Sequence, residues 1–164
     1  MPGRRVEVEA PSGERIVLEA EVVLLASGSR PKHLPEMSLD DPDVHVAWVG
    51  LTEEAAQSAG LEYETGRSSF GSNAKARISG FADGLIKLVF RAQDKVLVGV
   101  HIVGEVASEL VHIGQFVMHE GGTIDRFIDA TFAVPTRSEA YKYAAYDGLM
   151  RLERRRHAAA GVGH

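Results

Sequence analysis

Apolar and polar positions along the chain repeat with two different periods, and the changes of period mark its elements. Near the amino terminus, in "RRVEVEAPSGERIVLEAEVVLLASG", Val6 and Val8 alternate with charged residues. Residues 11–13, "PSG", supply turn chemistry, and residues 16–25 resume β-type patterning, so a β-hairpin is predicted. Residues 22–25 are continuously apolar, as in a strand covered on both faces. Residues 30–44 carry three prolines and little periodicity and read as a connector.

Beyond the connector the pattern is denser. Residues 46–49 suggest a short strand followed by a helix, with Thr52 as N-cap, Glu53 and Glu54 at the positive end of the dipole and Gly60 at the stop. Strands are expected at residues 62–66, 75–79 and 85–90. The last of these forms a hairpin with residues 96–103 across the polar loop "AQDK". Residues 105–120 have helical spacing, with Val106, Leu110, Ile113 and Val117 in one stripe, widened by Ala107, Val111, Gly114 and Met118. Gly121 and Gly122 end that helix, and residues 123–129 form a short helical turn around Ile124, Phe127 and Ile128. A final helix is predicted from a Thr136 cap to about Leu152, with Glu139 as capping-box partner and Tyr141, Ala144, Ala145, Leu149 and Leu152 on its inner face. The tail, residues 154–164, lacks periodicity and is expected to be frayed. The resulting fold class is α+β: an antiparallel sheet flanked by helices, with a short amino-terminal β-hairpin arm.

Composition narrows the function. With 45% hydrophobic and 25% charged residues, the chain can bury an ordinary core. A net charge of −5 argues against a nucleic-acid partner, which would need a basic face. No apolar segment approaches the ~20 residues that span a bilayer, and no secretory signal is visible, so a cytoplasmic protein with no membrane partner is expected. The absence of cysteine removes disulfides, thiolate metal ligands and thiol redox chemistry from this sequence.

Candidate chemistry is sparse. "ASGSRP", residues 26–31, is a small-residue turn after a strand, where a nucleotide could sit or where the chain simply turns. No G-x-G-x-x-G or G-x-x-x-x-G-K stretch accompanies it. Ser27 lacks the first glycine of a nucleophile elbow. Glu109 and His112 have the i, i+3 spacing of helical metal sites, with His119 two turns on, but matching ligands are wanting. Solvated or interface histidines are the favoured reading, and no metal is expected. In "TFAVPTRSEAY", Pro135, Thr136 and Glu139 are explained by helix initiation alone.

Three ordered motifs nevertheless carry a resemblance: "VAWVGLTEEAAQSAG", "LVGVHIVGEVASELVHIGQFVM" and "FIDATFAVPTRSEAYKYAAYDGLMRL". Over about residues 46–152 the chain resembles the carboxy-terminal dimerisation domain of the pyridine nucleotide-disulfide oxidoreductases, and its "HIGQ" with "PT–SEAY" is most similar to the soluble transhydrogenase branch. The resemblance implies an FAD- and NAD(P)-dependent parent enzyme and a homodimer. It also implies that the Pro135–Thr136 turn lies near the partner subunit's flavin. In thiol-active members a histidine precedes that Pro-Thr pair and is oriented by the following glutamate; here Val134 and Glu139 stand at those positions, so the dyad is broken and no catalytic residue is expected. "LLASGSRP" is similar to the segment closing the family's FAD-binding domain, which makes Ser27, Gly28 and Arg30 a vestigial FAD contact.

The expected organisation is thus a hairpin remnant of an FAD-binding domain with linker at residues 1–45, a dimerisation domain at 46–153 and a tail at 154–164. Two dinucleotide domains of about 100–150 residues each do not fit in the amino-terminal arm, so a truncated or internally deleted form is expected. Such a chain would bind neither FAD nor NAD(P) and be inactive on its own. The alternatives are an active oxidoreductase whose other domains are supplied in trans or omitted from this sequence, and a stand-alone interaction module.

Overall fold

A computed structural model describes residues 4–10, 12–20 and 45–161. The chain divides into two compact units, one within residues 1–33 and one within 34–164. In the first, β1 (Arg4–Glu9) pairs antiparallel with β2 (Arg15–Ala20), in a register that puts the Val6 backbone opposite Leu18 and Val8 opposite Ile16. The ion pairs Arg5–Glu19 at 2.8 Å and Arg15–Glu9 at 3.0 Å cross this hairpin in the open, where such pairs contribute little. The predicted hairpin is therefore present; the apolar run at 22–25 lies outside the described residues.

The second unit is built on an antiparallel sheet of four strands in the order β3-β6-β5-β4. These are β3 (Val46–Gly50), β4 (Tyr63–Ser69), β5 (Gly84–Arg91) and β6 (Leu97–Gly104). Alternation divides the side chains between two faces. Ile86, Leu88 and Phe90 of β5 and Val100 and Ile102 of β6 point inward and are fully buried. The cross-strand row Trp48–His101–Lys87–Arg67 lies on the other face. Helix α1 (Glu53–Ser58) attaches there: Glu53 accepts from Lys87 at 2.9 Å and Arg67 at 3.1 Å, and His101 Nε2 meets the Leu51 carbonyl at 3.0 Å. Thr52 caps α1 as predicted, accepting the Ala55 amide at 3.1 Å.

On the inner face lie α3 (Ala107–His119) and α5 (Ala140–Ala159), with the short α4 (Asp125–Asp129) between them in sequence. Helix α5 approaches β4 at backbone distance. A Cβ on Gly66 would stand 2.0 Å from the Ala144 carbonyl oxygen, and one on Gly148 would stand 2.7 Å from the Phe90 ring. Glycine at both positions is what lets the helix settle onto the strand. Across the helical layer, Tyr141 of α5 is fully buried and its hydroxyl donates to the Leu110 carbonyl of α3 at 2.7 Å. The same oxygen accepts the Gly114 amide at 3.2 Å, and the ring lies 4.8 Å from that of Phe127.

Two elements differ from the sequence-based expectation. Residues 75–79 are not a strand but part of helix α2 (Ala74–Ser79), which Asn73 caps by accepting the Ala76 amide at 3.0 Å and which Gly80 ends in the left-handed region at φ 81°. The last helix does not stop near Leu152: α5 runs on to Ala159, where Arg155 donates to the Tyr63 carbonyl and Arg156 to the Ala92 carbonyl, each at 2.9 Å. At its start, a 3-10 turn, Arg137–Glu139, precedes the α-helix proper. Val106, expected in the stripe of α3, sits just outside the helix with φ 58°.

Gly66→Ala is expected to lower stability by about 3 kcal/mol or more, because backbone atoms cannot yield as side chains do. Gly60→Ala, at φ 68° with open space around it, should cost only about 1–2 kcal/mol; urea unfolding measures both. Burial raises the pKa of Tyr141, so between about pH 10 and the higher folded value the unfolded chain has lost a proton the folded one keeps. Stability should therefore fall as pH rises above about 10. Tyr141→Phe should remove that part of the alkaline slope, while costing about 1–3 kcal/mol at neutral pH for the lost hydrogen bonds.

Candidate functional site

After α4 the chain turns through residues 130–136 before entering the 3-10 turn and α5. The Val134–Pro135 peptide is cis. Val134 is 76% exposed at the apex, whereas the polar groups beneath it are tied down. The Thr136 hydroxyl donates to the Ala133 carbonyl at 2.7 Å, and the Glu139 carboxylate accepts the Thr136 amide at 3.0 Å. A carboxylate in this first turn also meets the positive end of the helix dipole. Asn73 Nδ2 donates to the Thr136 carbonyl at 2.9 Å, so the residue that caps α2 also holds the turn. Arg137 is buried under the turn, with Nη2 donating to Ser79 Oγ at 2.7 Å and to the Glu105 carboxylate.

Val134, Pro135, Thr136 and Glu139, singled out in the sequence, therefore share one corner of the second unit. The structure gives Glu139 a capping role. Val134 presents only a hydrocarbon side chain, so the apex can pack against a neighbouring surface but cannot exchange a proton. Asn73, Ser79, Glu105 and Arg137 also belong to this corner and carry no sequence signal of it. Ser27, Gly28 and Arg30 lie outside the described residues.

Among the described residues, other groups form no second centre. Glu109, His112 and His119 are all exposed on α3, and His112 Nδ1 is 3.0 Å from Gln115 Oε1. Among the described residues no three His, Asp or Glu side chains gather to hold a metal ion, and no helix is long and apolar enough to cross a membrane. An open hollow of about 390 Å³ is lined by Glu53, Glu62, Glu64 and Arg155, and the arginine is engaged by Glu62 and the Tyr63 carbonyl at 2.9 Å. On the outer sheet face, burial lowers the His101 pKa.

The architecture is shared with parts of larger solved structures. The HOCl-induced flavoprotein disulfide reductase RclA from Escherichia coli matches 75% of this chain over 29% of its own, with TM-score 0.59 and 22% identity. LpdA from Mycobacterium tuberculosis matches 62% of this chain over 22% of its own, with TM-score 0.58 and 23% identity. These likenesses define the fold: an antiparallel sheet with helices, as found in a part of each of those proteins.

The particular family follows from sequence. Residues 42–145 match the model of the pyridine nucleotide-disulphide oxidoreductase dimerisation domain, and the chain belongs to that family. The soluble pyridine nucleotide transhydrogenase of Photobacterium profundum is 40% identical over 141 residues, covering 84% of this chain and 30% of the relative. That of Vibrio atlanticus is 44% identical over 110 residues, 65% of this chain and 24% of the relative. The chain thus spans roughly a quarter to a third of the length of these transhydrogenases. The family and the α+β dimerisation fold expected from the motifs are both met.

Asn73→Ala is expected to cost about 2 kcal/mol, since it removes a helix cap and the donor to the Thr136 carbonyl together. Asn73→Ser keeps a cap acceptor without setting a charge against the Thr136 carbonyl and should lose about half as much; thermal and urea unfolding of the two variants check the ordering.

Proposed function

We propose that this chain is a homodimerising interface domain of a transhydrogenase-like flavoprotein, and that its Val134–Glu139 corner faces the partner subunit's flavin region. The observation that carries this reading is a set of outward apolar side chains on helices whose inner faces are already packed. On α3, Phe116 is 74% exposed, opposite the buried Ala107, Leu110, Val111 and Gly114. On α5, Tyr143, Tyr146 and Met150 are exposed, opposite Tyr141, Ala144, Ala145 and Leu152. A helix with apolar residues on both sides needs a second surface to cover the outer one. Isologous pairing of two copies supplies it, in the manner of obligate, apolar dimer interfaces.

Val134 supports a chemistry in which this turn shapes the flavin environment without serving as acid or base. Hydride passing between nicotinamides by way of flavin needs no proton acceptor here. Ser27, Gly28 and Arg30 are proposed as the vestige of a flavin contact, and Pro135 and Thr136 as the backbone that approaches the partner's flavin. The domain limits at 45/46 and 153/154 and a cytoplasmic location belong to the same reading.

Sedimentation should show a dimer at micromolar concentration. Phe116→Glu combined with Tyr146→Glu should shift it to monomer with the circular dichroism spectrum unchanged; a wild-type monomer would sink the proposal. The purified 164-residue chain should show no flavin absorbance band and no transhydrogenase activity; one FAD per chain would overturn that part.

A further inference from the structure

Arg137 is the one charged side chain among the buried polar residues of the described structure, at 8% exposure, and its Nε has no hydrogen-bond partner there. Its Nη2 joins Ser79 at the end of α2 to Glu105, two residues before α3 begins. A buried guanidinium with one idle N–H is a poor way to gain stability, since an apolar side chain of similar length would fill the same space without desolvating a charge. What the Nη2 group does provide is placement, since it alone carries both bonds. It keys three segments to one another: the end of α2, the β6–α3 corner and the base of the Val134–Thr136 turn.

We infer that Arg137 is a positioning residue, retained to fix the exposed turn relative to α3 and not to stabilise the fold. Glu105 sits at the root of the helix that carries Phe116, so the pair ties the turn to one of the proposed dimer faces. The functional meaning of that tie rests on the dimer reading; the tie itself does not. The other bonds at the turn, from Asn73, Thr136 and Glu139, fix its internal shape and its attachment to α2. Among the described residues, only Arg137 hydrogen-bonds it to the segment leading into α3.

The test is hydrogen exchange on the full chain, comparing turn amides (residues 136–139) with β5 core amides, alongside the melting temperature. In Arg137→Met, turn amides should exchange at least tenfold faster while β5 protection and melting temperature hold or rise. Glu105→Gln should loosen the turn similarly, and the double variant should add little to Arg137→Met. Arg137→Lys, whose single nitrogen sits on a shorter side chain and must reach both Ser79 and Glu105, should restore the turn only in part. Unchanged turn exchange in Arg137→Met, or turn and β5 protection falling together with the melting temperature, would show an ordinary structural ion pair and overturn the inference. Should Arg137→Met fail to fold, that outcome also counts against it, and Glu105→Gln still reads the turn directly. Sedimentation of the same samples separates this result from failure of the dimer proposal, because exchange at the turn is measured whatever the oligomeric state.

Discussion

The close seating of α5 on β4 is the contact from which the rest of the second unit takes its dimensions. Two glycines face one another, Gly66 on the strand and Gly148 on the helix, and the space a side chain would occupy is filled by the Ala144 carbonyl and the Phe90 ring. Helix and sheet therefore meet nearer than ordinary side-chain layers allow. That proximity brings Tyr141, two turns earlier on α5, within reach of α3, where its hydroxyl ties the two helices together. It also fixes where α5 begins, and hence where the Pro135–Thr136 turn projects.

The corner is a division of labour among chemically different contacts. Glu139 and Thr136 satisfy groups within the turn, Asn73 fastens it to α2, and Arg137 relates it to the approach to α3. Rigidity at the base is combined with exposure at the apex. The partner contact proposed for this apex needs both, because a mobile apex would have to be ordered again on association.

The sheet, the helix at 107–119 and the last helix as far as about Leu152 were legible because their apolar periods are long and glycines or a capping box mark their limits. Residues 75–79 misled because Lys75, Ala76, Arg77 and Ile78 alternate polar with apolar, which mimics a strand over so short a span. The capping Asn73 and the terminating Gly80 were the stronger signal, and they frame one helical turn and a half. The extension of α5 to Ala159 depends on carbonyls of Tyr63 and Ala92, far off in sequence, so no local pattern could announce it. In the corner, Val134, Pro135, Thr136 and Glu139 were found through a motif that is contiguous. Asn73, Ser79 and Glu105 lie 63, 58 and 32 residues from their partners there, and only the fold joins them.

Val134 stands clear of the core and bonds to nothing through its side chain, so its identity is separable from folding. A scaffold of this kind can change what it offers at that apex by a single codon without rebuilding the supports below. On the proposed reading of this corner, such a detachable apex makes chemical divergence accessible by a short evolutionary step.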